Sequence, residues 1–333
     1  MSEDVIKAEG LTKVFNGNMT AVDHVDFSVK RGEIFGFIGP NGAGKTTTIN
    51  MLITILKPTE GKALVFGYNV LKQASEVRNV IGVVPQEYTA DEDLTGVENI
   101  ILCADLYGIP RHVSKERAIE LLELVELTAF KDKKVMTYSG GMRRRLELAC
   151  GLINRPKVLF LDEPTLGLDV QTRSATWNYI KLLKKNFDMT LFMTTHYLEE
   201  ADALCDRIAI IDHGKIIVVG QPEELKRGLG GDIITLAIKD EADVTSLVEK
   251  IENVKEVKKE NGAYRIKTEK GELTAPLIIE ALREEGHVVT KLSLTEPTLN
   301  DVYLEYTGKS MRDTEESREH VFAQRMTMRR ARG

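Results

Sequence analysis

"GPNGAGKTT", residues Gly39–Thr47, is the stretch that decides the fold. An apolar run, Ile34–Ile38, leads into it and "TINMLITIL" leads out, so the chain passes from a strand through a glycine-rich loop into a helix. The spacing G-x-x-x-x-G-K-[ST] in that setting cradles phosphate groups. Gly39, Gly42 and Gly44, with Pro40, Asn41 and Ala43 between them, let the backbone wrap closely around an anion and present its N–H groups. The helix N-terminus that follows adds partial positive charge. Lys45 can reach the β- and γ-phosphates of a nucleotide, and the hydroxyl of Thr46, with Thr47 beside it, can ligate Mg²⁺.

A site that holds a nucleotide with Mg²⁺ also needs a carboxylate at the end of a neighbouring strand. "VLFLDEP" supplies it: Val158–Leu161 is apolar, Asp162 and Glu163 follow, and Pro164 ends the strand. Asp162 suits the Mg²⁺ shell, and Glu163 is placed to polarise an attacking water. "MTLFMTT", residues 189–195, is another apolar run that ends in polar residues. Runs of this kind suit strands buried on both faces, which predicts an α/β fold with a parallel sheet covered by helices from about Val5 to Gly220. Residues 89–155 read as mostly helical, with Ala118, Leu121, Leu122 and Val125 at helical spacing.

The chain has 333 residues, 42% hydrophobic and 29% charged, which is enough for two ordinary soluble domains. Its net charge of -6 argues against a protein that lives on nucleic acid, which normally carries a basic stripe. No apolar run approaches the ~20 residues that cross a bilayer, and "MSEDVIKAEG" has no secretory character. Cys103, Cys150 and Cys205 are far apart and in no metal-ligand spacing, so they read as free packing thiols of a reducing compartment. The glycines of "GQPEELKRGLGG" mark a boundary, predicting domains at 1–225 and 226–308 and a charged tail at 309–333. The second domain reads strand, helix, two strands about an Asn-Gly turn, helix, strand, a small α+β unit of ferredoxin-like pattern.

With these elements placed, residues 5–220 resemble the ATP-binding subunit of ABC transporters. "SGGMRRRLELA" resembles the family signature, Gln86 in "GVVPQE" the Q-loop, "GLD" ending at Asp169 the D-loop, and His196 in "MTTHYLEEAD" the switch histidine. Phe15 stands where the family sets an aromatic ring against adenine. "LTGVENI", "YSGGMRRRLELA" and "EPTLNDVYLEYTGKSMRD" further resemble the daunorubicin-resistance-type exporters. The resemblance implies ATP and Mg²⁺ as ligands, ATP hydrolysis, a homodimer, and a separate membrane permease at the cytoplasmic face of the cell membrane. It implies that Ser139, Gly140 and Gly141 meet the γ-phosphate of ATP held by the partner subunit. It gives Glu163 the role of general base, has His196 hold the γ-phosphate, has Asp169 link the two sites, and sets Gln86 by the Mg²⁺ or water. Tyr138 and Met142 depart from the usual Leu and Gln of the signature without removing a phosphate-binding group.

The competing reading, a soluble ABC-type ATPase acting on ribosomes or DNA, fits poorly with a single P-loop, no long heptad run and an acidic balance. The three consecutive arginines, Arg143–Arg145, therefore read as the solvated side of a helix rather than a nucleic-acid patch. Met142, Leu146, Ala149, Cys150 and Ile153 form its buried face, and Glu147 is an i,i+4 partner for Arg143.

Overall fold

Strands that are apolar along their whole length need cover on both faces, and here they receive it. The computed structural model describes residues 4–15, 19–187, 189–239, 242–260 and 263–308. The predicted tail, 309–333, and the Asn261-Gly262 turn lie outside the described residues. The chain divides into two compact units, Met1–Gln221 and Pro222–Gly333.

The first unit begins with β1 (Asp4–Phe15), β2 (Met19–Lys30), β3 (Ile34–Ile38), α1 (Lys45–Leu52), β4 (Glu60–Val65), β5 (Tyr68–Asn69), α2 (Ala74–Val80) and β6 (Ile81–Val84). A helical lobe follows: α3 (Gly96–Leu106), α4 (Arg111–Leu124) and α5 (Gly140–Leu152). The chain then returns through β7 (Val158–Asp162), α6 (Val170–Phe187), β8 (Thr190–Thr195), α7 (Leu198–Leu204), β9 (Arg207–Asp212) and β10 (Lys215–Gly220). The central sheet has the order β10-β9-β3-β8-β7-β6, parallel except at the β9–β10 hairpin. Every residue of β3, β7 and β8 is buried. An antiparallel sheet, β2-β1-β4-β5, packs over it. Phe27 of β2 joins the two layers, its ring 5.4–5.9 Å from those of Phe35, Phe37 and Phe192. Because β3, β7 and β8 run parallel, their C-terminal ends open on one edge, and that edge receives the loops that carry function in open α/β sheets.

The helical lobe has its own core, built from Ile100, Ala104, Ala118, Leu122, Leu146 and Ala149 among others. Helix α3 starts with a capping box in which Thr95 and Glu98 satisfy each other's backbone N–H groups. The expected buried face of α5 is present: Leu146, Ala149, Cys150 and Ile153 are buried, and Met142 packs against them. The arginine expectation needs correction. Arg144 is only 1% exposed, because its guanidinium turns under the chain after β6 and donates to the carbonyls of Pro85 and Gln86. Glu147 is also buried and accepts from Thr89 and Ala90, so Arg143 pairs with Glu92 instead. Helical spacing alone cannot foresee this, since the partners come from a segment nearly sixty residues away, 59 for Arg144 and 58 for Glu147. The three cysteines are free thiols, Cys150 and Cys205 buried and Cys103 half-buried.

The second unit holds α8 (Pro222–Gly228), β11 (Asp232–Ile238), α9 (Thr245–Val248), β12 (Val254–Glu260), β13 (Ala263–Thr268), α10 (Gly271–Glu284), β14 (Val289–Thr295) and α11 (Leu299–Thr307). Its sheet is fully antiparallel in the order β12-β13-β11-β14, the arrangement of a ferredoxin-like split βαβ unit. The register sets Ile234 opposite Ile266 and Leu236 opposite Tyr264, and these four face Val248, Ile278 and Leu282 from the helices.

Candidate nucleotide site

The loop after β3 closes tightly, and its glycines are required at stated points. A Cβ on Gly39 would stand 2.1 Å from the Ile211 carbonyl, and Gly44 starts α1 at a φ of 112°, in the left-handed region. Pro40 accepts a turn hydrogen bond from Ala43, which shapes the loop (3.1 Å). Lys45 is buried, and its Nζ donates to the Gly39 carbonyl (2.7 Å) while standing 3.1 Å from Glu163 Oε1. Loop residues between Asn41 and Thr47 line a cavity of about 170 Å³ together with Gln86 and Glu163.

The ends of β7 and β8 complete this pole. The Thr46 hydroxyl donates to Asp162 Oδ1 at 3.3 Å, and Thr194 donates to the same oxygen. Thr194 Oγ1 also accepts from the Glu163 N–H at 3.0 Å, which helps hold Glu163 in a left-handed backbone conformation (φ 48°). Such conformations cluster at sites the surrounding structure over-determines. His196 Nδ1 lies 2.8 Å from Glu163 Oε2, so the ring N–H donates to the carboxylate.

The two neighbouring acids are pushed in opposite directions. Burial raises the Asp162 carboxyl above its usual value, and the two threonine hydroxyls offset that only in part. Burial would raise Glu163 as well, but the hydrogen bond from His196 and the Lys45 ammonium outweigh it and hold Glu163 below the usual carboxylate range. Glu163 is thus an ionised acceptor at neutral pH. The Thr46 hydroxyl, the Asp162 carboxylate and the Gln86 amide offer only hard oxygen donors, the set that fits Mg²⁺.

The signature residues stand apart from that cavity. Ser139 caps α5, its hydroxyl accepting from the Met142 N–H at 3.3 Å; Gly140 is exposed and Gly141 half-buried. A Cβ on Gly141 would stand 2.5 Å from Thr172 Cγ2. Tyr138, the first departure from the usual signature, is buried in the lobe core with its hydroxyl donating to the Phe130 carbonyl. Asp169, exposed, accepts from the N–H and the hydroxyl of Thr172 at the start of α6. Phe15 is half-buried at the end of β1, 5.2 Å from the Lys13 ammonium, and does not line the cavity. Sequence reasoning missed Thr194, Thr172 and the buried pair Arg144 and Glu147. The only signal for Thr194 was a threonine closing an apolar strand.

Comparisons with known proteins show the family of the chain. Residues 22–166 match the ABC transporter family model, and residues 220–307 match the C-terminal domain of DrrA1-3-like ATP-binding proteins. The doxorubicin resistance ATP-binding protein DrrA of Mycobacterium tuberculosis (strain ATCC 25618 / H37Rv) is 38% identical over 312 residues, covering 91% of this chain and 93% of that protein. The chain belongs to the ABC transporter ATP-binding proteins. Within that family it carries the DrrA-like C-terminal domain. The daunorubicin/doxorubicin resistance ATP-binding protein DrrA of Streptomyces peucetius is 46% identical over 235 residues, 71% of each chain. Among solved structures, the dimeric post-hydrolysis state of the ATP-binding cassette MJ0796 bound to ADP and Pi superposes with a TM-score of 0.59 at 27% identity, covering 65% of this chain and 98% of that one. As an ABC ATPase domain, the first unit binds ATP or ADP, and the family hydrolyses ATP. Among the described residues, no helix of this ABC protein is long and apolar enough to cross a membrane.

Proposed function

We propose that this chain is the ATPase subunit of an exporter of lipophilic compounds. Two copies close head to tail on ATP and drive a separate permease from the cytoplasmic face of the membrane. One observation carries the reading: Lys45, Asp162, Glu163, His196 and Gln86 gather at the P-loop, while the capped helix N-terminus at Ser139–Gly141 opens outward, away from that cavity. A helix N-terminus with a serine cap and two glycines suits an anion, and a second subunit's nucleotide supplies one. The drug-resistance names of the relatives and the dimeric form of MJ0796 support export and pairing.

In this reading Lys45 and the loop N–H groups hold the β- and γ-phosphates, and Phe15 offers its ring to the base. Thr46, Asp162 and Gln86 would hold Mg²⁺, which when bound neutralises charge on the phosphate oxygens. Water attacks the γ-phosphorus as the bond to the β–γ bridging oxygen breaks, and Glu163 takes the proton that the water loses. His196 orients Glu163 through its Nδ1 hydrogen bond and faces the γ-phosphate. Ser139, Gly140 and Gly141 donate to the γ-phosphate of the partner's ATP, and Asp169 joins the two sites through the turn it makes with Thr172. ATP thereby biases the pair toward the closed arrangement, and loss of the γ-phosphate removes that bias.

The test is Glu163→Gln in the full chain. The variant is expected to bind ATP and to accumulate as a dimer, measured by light scattering after gel filtration. A variant that stays monomeric with ATP well above its dissociation constant would overturn the head-to-tail reading.

A further inference from the structure

The segment from Pro85 to Ala90 joins β6 to the helical lobe without helix or strand of its own. Four of its backbone polar groups, and the Thr89 hydroxyl, have partners on α5. Arg144 donates from Nη1 to the Pro85 carbonyl (2.7 Å) and from Nη2 to the Gln86 carbonyl (2.9 Å). Glu147 Oε1 accepts from the N–H groups of Thr89 (2.6 Å) and Ala90 (2.8 Å), and its Oε2 accepts from the Thr89 hydroxyl (2.8 Å). In the reverse direction, the Tyr88 hydroxyl donates to the carbonyl of Gly140 (3.2 Å), and its ring lies 5.3 Å from the Arg144 guanidinium. Arg144 and Glu147 are 1% and 2% exposed, although Gln86, Glu87, Tyr88 and Thr89 are all exposed.

We infer that Arg144 and Glu147 are positioning residues that lock the Pro85–Ala90 strap to α5, so that Gln86 and Ser139–Gly141 of one subunit move as a single body. The physical reason is the cost of separation. Sliding the strap along α5 would leave a guanidinium and a carboxylate buried without partners, and such groups are costly to strand. Residues 144 and 147 are three apart and share one helix face, so the strap is gripped at two points and cannot pivot about either. Ser139 caps the same helix five residues before Arg144, about 7–8 Å along its axis. A pull on the helix N-terminus is therefore delivered to the Gln86 backbone, whose side chain lines the phosphate cavity of the same chain. The link carries the state of the partner's nucleotide to the subunit's own site. It rests on the reading that Ser139–Gly141 meets that nucleotide.

Hydrogen–deuterium exchange of the full chain, with and without ATP and Mg²⁺, tests the lock together with turnover. In the unaltered chain, peptides covering 86–90 and 139–147 are expected to gain protection together over the same ATP range. Arg144→Lys keeps the charge but cannot bond both carbonyls with one planar fork. It is expected to bind ATP as before, to lose the ATP response at 86–90 while keeping that at 139–147, and to turn over about ten-fold more slowly. Glu147→Gln keeps an acceptor oxygen for the two amides and is expected to stay within about three-fold of the parent. If Arg144→Lys does not fold, Thr89→Val removes the hydroxyl contact to Glu147 and is expected to quicken exchange at 86–90 without affecting 139–147. Unchanged exchange and turnover in the folded variant would overturn the lock. If the unaltered chain responds at 139–147 but not at 86–90, the lock fails while the head-to-tail reading stands. No response at 139–147 would remove that reading and the lock with it.

Discussion

The P-loop pole and the signature pole are both built at the N-terminus of a helix, yet they are finished in opposite ways. At the P-loop, side chains close on one another: Lys45 on Gly39 and Glu163, Glu163 on His196, and Asp162 on Thr46 and Thr194. At the signature, the Ser139 hydroxyl accepts from its own helix, Gly140 presents bare backbone outward, and Gly141 lies half-buried against Thr172. One pole carries charged side chains, to which the proposed reading assigns proton transfer, and the other carries shape and N–H groups. Substitutions should therefore act chemically at the first and sterically at the second.

The largest separation is expected from Glu163→Gln, which removes the proposed proton acceptor and leaves the shape intact. Turnover should fall by about 10³-fold, within the range for loss of a general base, while ATP affinity stays near the parent's. A steady-state phosphate-release assay beside nucleotide titration reads both. A fall below ten-fold would mean that Glu163 is not the group that takes the proton.

Gly141→Ala is the steric counterpart and should have a smaller effect. The added methyl meets Thr172 Cγ2 at 2.5 Å, and Thr172 cannot turn freely because its hydroxyl bonds Asp169 at 2.7 Å. Turnover should drop about ten-fold with ATP affinity of the monomer unchanged, the effect of shifting a packed surface by a few tenths of an ångström. Thr172→Ser deletes the offending methyl and keeps the hydroxyl, so the double variant should regain most of the loss. If it does not, the effect of Gly141→Ala comes from the phosphate contact itself and not from the turn at Asp169.

The same contrast explains what could be read from the residues alone. A P-loop is local: nine consecutive residues, Gly39–Thr47, carry their own turn, anion cradle and lysine, so Gly39, Lys45 and Thr46 could be named before any fold was known. Asp162 and Glu163 were legible because an apolar strand delivers them to the same edge as β3. Arg144 was not, and the periodicity of α5 set it on the solvent side. Its burial depends on two carbonyls of a distant strap, and no helical pattern encodes them. Thr194 went unnoticed for a related reason, since a threonine at a strand end comes to hold the Asp162 carboxylate only once β7 lies beside β8.

The smallest effect separates the poles by pH. Glu163 is held below its unfolded value, near 4.3, so it contributes stability above that pH and loses it as pH falls through the lower folded value. Asp162 is raised, so the folded chain takes up its proton first; its charged form costs stability at neutral pH, and acidification relieves that cost. Glu163→Gln should therefore flatten the thermal-midpoint curve as pH falls below about 4.3, and Asp162→Asn should steepen it as pH falls toward about 3.9. Ser139→Ala removes a helix cap at a pole that has no titrating side chain among Ser139–Gly141. It should lower the whole curve by about 1 kcal/mol without changing its slope. Slopes that move the same way in the two acid variants would break the assignment of opposite environments to Asp162 and Glu163. A pH-dependent shift in Ser139→Ala would mean that the open pole is coupled to charge after all, and the strap held by Arg144 and Glu147 is the route by which that coupling would arrive.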